Sequence, residues 1–339
     1  MAIVGAVISA FVMCSVPAGQ ADPFLAIRAQ LTYLTGSSGT VWIADFDGKN
    51  GKRLGPGTQP LLSPDSSHVA ASVFPSKGNS LAIYSPTSKT RKFFDISKVS
   101  ARALSWSPDS RYLAVQLTNV SSNGGALAVV DMQTNKATTI ATGSICGASF
   151  APATDQLAYG VGTTKGFCAN SNVFTVAVDG SGRTQLTHDG RSLNPVWGAA
   201  GIAFDRETLR KLAPSYQIWL MHPDGTSPVQ LTNMKIPSLL FGLVPLQFSG
   251  NGQRLLAEYA GQDTSETWTL EVRTKKTHHI LVNKLDVTPG AISFDGKSLV
   301  IDFGGFMNPP SAGTIESVPF AGGPAKVLVK HAGEPDWTL

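Results

Sequence analysis

The sequence predicts an all-β protein, a single ring of four-stranded antiparallel sheets that closes on itself as a β-propeller. Three observations predict this fold class. A hairpin motif recurs along the 339 residues at a nearly constant interval, a second hairpin follows it in each repeat, and the two ends of the chain match different strands of one sheet. Each observation has a simple physical basis.

The recurring motif is clearest in Leu104-Ser-Trp-Ser-Pro-Asp-Ser-Arg-Tyr-Leu-Ala-Val115, where an apolar strand ends at a turn and a second strand runs back. Proline presets φ in such a turn, and serine and aspartate side chains hydrogen-bond its backbone. Similar turns begin at residues 63, 151, 249 and 293, and a shorter one begins at 198, so successive turns are 44 to 51 residues apart. A period of this length with several short strands per repeat is typical of propeller blades.

The second hairpin has Asp-Gly turns at Asp179-Gly180 and Asp224-Gly225, each between apolar runs. Asp-Gly is a strong hairpin signal because glycine adopts positive φ without penalty. Two hairpins give four strands per repeat, which is one blade. Whole blades are predicted over residues 59–98, 101–141, 145–187, 194–232, 243–282 and 288–330.

The chain ends determine the predicted number of blades. Residues 334–339 match only a first strand, whereas residues 31–34 and 40–54 match strands two, three and four. One end can therefore complete the blade that the other begins, which closes the ring and hides its free edges. We expect seven blades, with six as the alternative because the fourth is irregular.

The turn that begins with Ser-Pro-Asp, followed by the Asp-Gly hairpin, resembles the TolB-like, WD-repeat-like β-propeller repeat. The resemblance covers residues 31 to 339 and is specific for fold but not for function. It implies a periplasmic or cell-envelope setting. TolB itself carries an α/β domain ahead of a six-bladed propeller, so we expect a TolB-like protein rather than TolB.

Composition argues against a nucleic-acid partner. The net charge is +4, and Lys and Arg do not cluster into a basic stripe. Only 15% of the residues are charged, which predicts a surface rich in uncharged polar side chains. We expect a monomer.

The N-terminus resembles a signal peptide. Residues 3 to 13 form an apolar run that is short for a bilayer span, and Gly19-Gln-Ala21 offers a cleavage site after Ala21. The usual basic residue before the run is missing, so the true start could lie upstream. We expect a signal peptide over 1–21, a lead-in over 22–30, a propeller over 31–339, no transmembrane span in the mature chain, and a periplasmic or secreted location. Cys14 allows a lipoprotein alternative, although no small residue precedes it.

Cys146 and Cys168 fall at the top of the same predicted blade, one near the start of its first strand and one in the loop between its second and third strands. A disulfide between them is expected, and two free thiols are the alternative. Its closure of that loop would stabilise the fold by roughly 3 kcal/mol.

Three unusual connections are predicted at the top face: the basic loop 205–215, the apolar loop 233–242 and the loop 303–312. Loops on rigid scaffolds commonly carry binding residues. They would place an apolar patch with a basic rim at one side of the opening. The alternative is that the apolar residues fold inward over the blade ends. The candidate binding residues are Arg206, Arg210, Lys211, Leu240, Phe241, Phe306 and Met307.

Motifs for catalysis are missing from the sequence. It contains no G-x-S-x-G and no H-E-x-x-H, and its six histidines show no ligand spacing. Asp45-Phe-Asp-Gly48 resembles the start of a calcium loop but lacks the glutamate at the twelfth position, where Pro56 stands, so a turn is predicted. We assign no catalytic residue, no cofactor and no metal ligand.

The sequence therefore favours a non-enzymatic exported propeller that binds a protein or a cell-envelope component through its top face. The alternative is a propeller enzyme, a lyase or hydrolase acting on a saccharide or peptide at the central opening. A third hypothesis is a subunit of a larger assembly that takes no small ligand.

Overall fold

The computed structural model describes residues 30–73, 81–87, 91–94, 100–119, 124–163, 168–208, 215–237, 240–305 and 308–338. The predicted signal peptide and nearly all of the lead-in fall outside these ranges, as do Arg210, Lys211, Phe306 and Met307. Within them the chain is built from β-strands, with one short 3-10 helix at Pro310–Ala312. No helix in this described part is long and apolar enough to cross a bilayer.

The strands are short, and most are four to eight residues long. In chain order they are β1 (Gln30–Thr35), β2 (Thr40–Asp45), β3 (Lys52–Pro56), β4 (Thr58–Leu62), β5 (Val69–Ser72), β6 (Leu81–Tyr84), β7 (Arg91–Phe94), β8 (Ser100–Trp106), β9 (Tyr112–Asn119), β10 (Gly124–Asp131), β11 (Lys136–Thr142), β12 (Ser144–Phe150), β13 (Gln156–Gly162), β14 (Asn172–Ala177), β15 (Thr184–Gln185), β16 (Ser192–Gly198), β17 (Gly201–Thr208), β18 (Ser215–Met221), β19 (Val229–Gln230), β20 (Leu240–Phe248), β21 (Arg254–Gly261), β22 (Ser265–Glu271), β23 (Lys276–His279), β24 (Leu281–Val282), β25 (Leu285–Asp286), β26 (Thr288–Ile292), β27 (Ser298–Phe303), β28 (Thr314–Pro319), β29 (Lys326–Lys330) and β30 (Ala332–Thr338).

The strands pair as antiparallel four-stranded units, as the sequence predicted. We number them unit 1 (β4–β7), unit 2 (β8–β11), unit 3 (β12–β15), unit 4 (β16–β19), unit 5 (β20–β23) and unit 6 (β26–β29), and call β1–β3 with β30 the terminal unit. Units 4 and 5 join into one eight-stranded sheet, which the sequence did not predict. A single parallel pairing of Tyr216 with Gly242 links them. Strands β24 and β25 form a separate hairpin after unit 5.

The terminal unit brings the two ends of the described chain together. Strand β30 pairs antiparallel with β1, and the strand order is β3-β2-β1-β30. Gln30 lies opposite Thr338 and Leu31 opposite Trp337. The last strand thus covers an edge that β1 would otherwise expose.

In units 1, 2, 5 and 6, the turn between the first and second strands is held by one serine and one acidic or amide side chain. In unit 2 the Ser107 hydroxyl donates to Asp109 Oδ1 at 2.5 Å and accepts from the Tyr112 backbone N–H at 2.8 Å. Asp109 Oδ1 also accepts from the Arg111 N–H at 3.1 Å. The same pattern recurs at Ser63, Ser249 and Ser293. These local bonds fix the hairpin that sets the repeat.

The first strand of each unit carries a register shift, and in units 2, 3, 5 and the terminal unit one of its side chains bonds the next unit. The side chain two residues before the turn accepts a hydrogen bond from a backbone N–H of the neighbouring first strand. The bonds are Ser105 from Phe150 at 3.2 Å, Ser149 from Trp197 at 3.0 Å, Gln247 from Ile292 at 3.0 Å, and Asp336 from Leu62 at 2.8 Å. Neighbouring units are therefore joined by polar contacts as well as by apolar packing.

The hydrophobic core lies between units rather than within them. One cluster packs Ile83 of unit 1 against Trp106 of unit 2, and another packs Phe204 of unit 4 against Val173 of unit 3. A further cluster packs Ile43 of the terminal unit against Tyr84 of unit 1. The remaining clusters bridge units 2 and 3, 4 and 5, 5 and 6, and unit 6 and the terminal unit. Three first strands carry a tryptophan near their C-terminal end. Trp106 and Trp337 are buried, whereas Trp197 is half-buried.

We predict that replacing Ser107 with alanine lowers the free energy of unfolding by about 1–2 kcal/mol, because a buried hydroxyl that bonds two partners is lost. Urea unfolding of the full chain measures the change. Ser100→Ala is the matched control, because Ser100 is an exposed serine on the strand that leads into this turn, and it should change stability by less than about 0.5 kcal/mol. Equal effects of the two substitutions would show that the turn does not depend on this hydroxyl.

Candidate functional site

We define the top face as the end of the units where the first strands begin and the second strands end. The bottom face is the opposite end, which carries the serine turns. Of the candidate residues from the basic loop, Arg206 is described. Its guanidinium forms an ion pair with Asp189 Oδ2 and lies over the Trp219 ring, 4.7 Å from the ring centre. Both contacts restrain the side chain, so Arg206 is a partly neutralised charge beside unit 4.

The apolar loop before unit 5 is divided between inward and outward residues. Ile236 is 3% exposed, and Met234 and Leu240 pack half-buried against the core between units 4 and 5. Phe241 is 40% exposed at the start of β20. Among the described apolar side chains of this loop, Met234, Ile236 and Leu240 therefore face inward, and Phe241 faces outward.

Gly242 explains why Phe241 points outward. Its φ is +106°, which side-chain-bearing residues rarely adopt, and a Cβ there would meet the Ile236 side chain and the Tyr216 carbonyl. Only glycine permits the close approach of β18 and β20 at this point. The resulting register shift between Leu240 and Gly242 leaves Phe241 unpaired at the top of the strand.

In every numbered unit except unit 3, the second strand carries a polar residue near the top face, three positions after its first buried aliphatic residue. In units 1 and 2 these side chains bond the next unit directly, since Ser72 donates to the Ala101 carbonyl at 2.9 Å and Gln116 to the Ile145 carbonyl at 3.0 Å. The equivalent residues of units 4, 5 and 6 are acids: Asp205, Glu258 and Asp302. The repeat gives these three acids one common position, but no catalytic or metal-ligand motif in the sequence marks them.

Asp302 is enclosed by glycine backbone. A Cβ at Gly305, Gly313 or Gly333 would collide with its carboxylate, and Oδ2 accepts from the Glu334 N–H at 3.1 Å. The pKa of Asp302 is raised to about 6, chiefly by burial and to a smaller degree by the nearby charge of Glu334, while the backbone amides of Glu334 and Gly305 oppose the rise. The carboxyl group thus titrates close to neutral pH.

Asp205 is buried more deeply than Asp302. Its Oδ2 accepts from Asn194 Nδ2 at 3.2 Å, and burial raises its pKa to about 8, against the effect of that hydrogen bond. Asp336, in the terminal unit, behaves similarly, because burial raises its pKa to about 7 despite the bond from Leu62. Asp205 and Asp336 therefore keep a large share of their protons at neutral pH, whereas Asp302 is mainly ionised there.

Cys146 and Cys168 form the expected disulfide, with their Cα atoms 5.6 Å apart. The Asp45 segment forms a turn, as predicted, since the Gly48 N–H donates to the Asp45 carbonyl at 2.8 Å. Among the described residues, one group could hold a metal ion: Glu266, His279 and Asp286, at the outer strands of unit 5 and the hairpin that follows.

No protein-family model and no curated protein matches the chain. Solved structures do. TolB from Acinetobacter baumannii matches at a TM-score of 0.56 with 15% identity, over 92% of this chain and 67% of that one. An oligogalacturonate lyase in complex with manganese matches at 0.58 with 13% identity, over 78% and 79% of the two chains. A prolyl endopeptidase matches at 0.62 with 12% identity, over 90% of this chain and 50% of that one.

The fold is a β-propeller. The likeness to TolB supports the TolB-like fold that the repeat motif implied, at low sequence identity. The matched propellers include TolB, a lyase and a peptidase, so the fold is compatible with both functional hypotheses.

Replacing Asp302 with asparagine should remove part of the pH dependence of stability. The folded carboxyl has a pKa of about 6 against an ordinary value of 3.8, so the folded state binds the proton more tightly than the unfolded chain. Its contribution is therefore complete below about pH 4 and is lost as the pH rises through about 6. Between about pH 4 and pH 6, the free energy of unfolding of D302N should therefore fall by roughly 2 kcal/mol less than that of the unaltered chain. Urea unfolding at a series of pH values measures the difference.

Asp295, in the serine turn of the same unit, provides a control of opposite sign. The Lys297 N–H and the Ser293 hydroxyl lower its pKa to about 2, so its contribution is present above about pH 4 and is lost as the pH falls towards 2. D295N should reduce the pH dependence of the free energy of unfolding only in this acidic range, below about pH 4. If both variants altered the same pH region, the environment assigned to Asp302 would be wrong.

Proposed function

We propose that residues 30–338 form a seven-bladed propeller closed by the pairing of β30 with β1. Six units and the terminal unit account for seven blades, and an apolar cluster bridges each successive pair, including unit 6 with the terminal unit and the terminal unit with unit 1. The polar contacts between first strands also continue from Asp336 to Leu62. A six-bladed ring could include only six of these seven four-stranded units.

We propose that this propeller is exported and is not an enzyme, and that it binds a protein or a cell-envelope component through its top face. A disulfide between Cys146 and Cys168 suits an oxidising compartment, which supports a periplasmic or secreted protein with a signal peptide over 1–21. The observation that carries the binding proposal is Phe241, an aromatic side chain that Gly242 holds outward at the top face. Exposed aromatic residues commonly anchor protein interfaces.

A photoreactive phenylalanine analogue placed at position 241 of the full chain tests this proposal in the native host. We expect a specific cross-link to one envelope protein or component. This cross-link should be lost when the same chain without the analogue is present in excess and competes for the partner. The matched control is the same analogue at Phe294, which is 72% exposed at the bottom face. Equal cross-linking from both positions, or none from position 241, would contradict top-face binding.

The enzyme alternative has one observation in its favour. Asp205 and Asp302 have raised pKa values, and one carboxylate oxygen of each has no hydrogen-bond partner among the described residues. Carboxyl groups that titrate near neutral pH can act as general acids or bases. Turnover of an oligosaccharide or peptide that D302N abolishes, with the fold retained, would favour this alternative over the binding proposal.

A further inference from the structure

Three side chains from separate parts of unit 5 and its following hairpin meet at one point. His279 Nε2 lies 2.9 Å from Asp286 Oδ1 and 3.3 Å from Glu266 Oε2. The three ligand atoms all lie within 4.8 Å of one another. One imidazole nitrogen and two carboxylate oxygens are donor atoms that borderline divalent metals accept.

The fold explains how these residues come together. Trp268 on β22 lies opposite His279 on β23, and Glu266 lies two residues before Trp268, so it shares the same face of the sheet. Asp286 arrives on the β24–β25 hairpin, whose two-residue turn, Asn283-Lys284, has positive φ at both positions.

Neighbouring apolar residues keep this hairpin against unit 5. Val282 is 5% exposed and Val287 2% exposed, and both pack in the core between units 5 and 6. The buried valines hold the backbone on both sides of Asp286, although its own side chain remains 57% exposed. Asp286 is thus presented to His279 from an exposed but anchored segment.

Trp268 orients two of the three groups. Its indole stacks on the His279 ring, with centroids 4.6 Å apart and planes 5° from parallel, and its Nε1 donates to Glu266 Oε2 at 2.9 Å. Such supporting contacts fix ligand orientation in metal sites. The same contacts restrain His279 and Glu266 before any ion binds.

The direction of His279 Nε2 distinguishes a metal ligand from an ordinary ion pair. This atom is buried and has no hydrogen bond of acceptable geometry, although two carboxylates lie within 3.3 Å of it. The oxygens therefore flank the axis along which a ring N–H would donate. A metal ion bound to Nε2 would lie on that axis, about 2.0–2.1 Å from the nitrogen. Its other ligands would then lie off the axis, as these two carboxylate oxygens do.

We propose that His279 Nε2, Glu266 Oε2 and Asp286 Oδ1 bind a divalent transition metal ion of the zinc class. Two carboxylates balance the charge of the ion, and the imidazole favours zinc over magnesium or calcium. Water completes the coordination at the exposed side of Asp286. The ion links the β24–β25 hairpin to the outer strands of unit 5.

Isothermal titration of the metal-free full chain with zinc chloride tests the site. We expect one zinc ion per chain and a dissociation constant that H279Q and D286N each raise by about tenfold or more. Replacement by Co²⁺ should give visible absorption bands that both variants lose. Because Asp286 is exposed on a hairpin, D286N keeps the test valid even if H279Q fails to fold.

His278→Gln is the matched control. His278 is the neighbouring residue on β23, alternates to the opposite face, and lies 3.6 Å from a single carboxylate, Glu271. H278Q should bind zinc as the unaltered chain does. The proposal is overturned if zinc binds no tighter than millimolar, if H279Q and D286N bind it unchanged, or if H278Q weakens binding as much as they do.

Discussion

The antiparallel pairing of β30 with β1 is the interaction on which the rest of the architecture depends. Each unit has an apolar face on both sides, so a unit without a neighbour would expose it to water. Trp337, buried in β30, packs in the cluster shared with unit 6, while Asp336 and Thr338 make polar contacts to Leu62 and Ser66 of unit 1. The last strand thus contacts its own sheet and both neighbouring units at once.

The first and second strands of the units give the top face its chemical character. Side chains of one unit contact the backbone of the next unit's first strand, and serine or glutamine makes these contacts in units 1 and 2. Units 4 and 6 use Asp205 and Asp302 at the equivalent position, each buried and each with a raised pKa. An uncharged side chain would fill such a position at a smaller desolvation cost, so these carboxyl groups lower stability near neutral pH. Residues kept at such a cost are candidates for a role beyond folding.

The sequence predicted the repeat well because its determinants are local. Serine, aspartate and the positive-φ residue of each turn lie within four positions, and all are visible in the motif around Ser107. The disulfide of Cys146 and Cys168 was predictable for a related reason, since both cysteines belong to one blade. The single pairing between units 4 and 5 was not, because it depends on the space left by Gly242.

The candidate site was harder to predict because its contacts join distant residues. Arg206 looked like a free charge in sequence, but its partner Asp189 lies 17 positions earlier, in the connection before unit 4. Ile236 and Phe241 belong to one apolar stretch, and only packing separates the buried side chain from the exposed one. Glu266, His279 and Asp286 match no ligand motif, because a sheet register and a separate hairpin bring them together.

Amide hydrogen exchange of the two terminal strands tests most directly whether the propeller is a closed ring. In a closed ring, the paired amides of β30 and β1 exchange only through global unfolding, as slowly as those of the central strands β9 and β13. We predict equal protection of Ala332–Thr338 and of these central strands. Fast exchange confined to β30 and β1 would show that the ends fray independently, which would contradict closure.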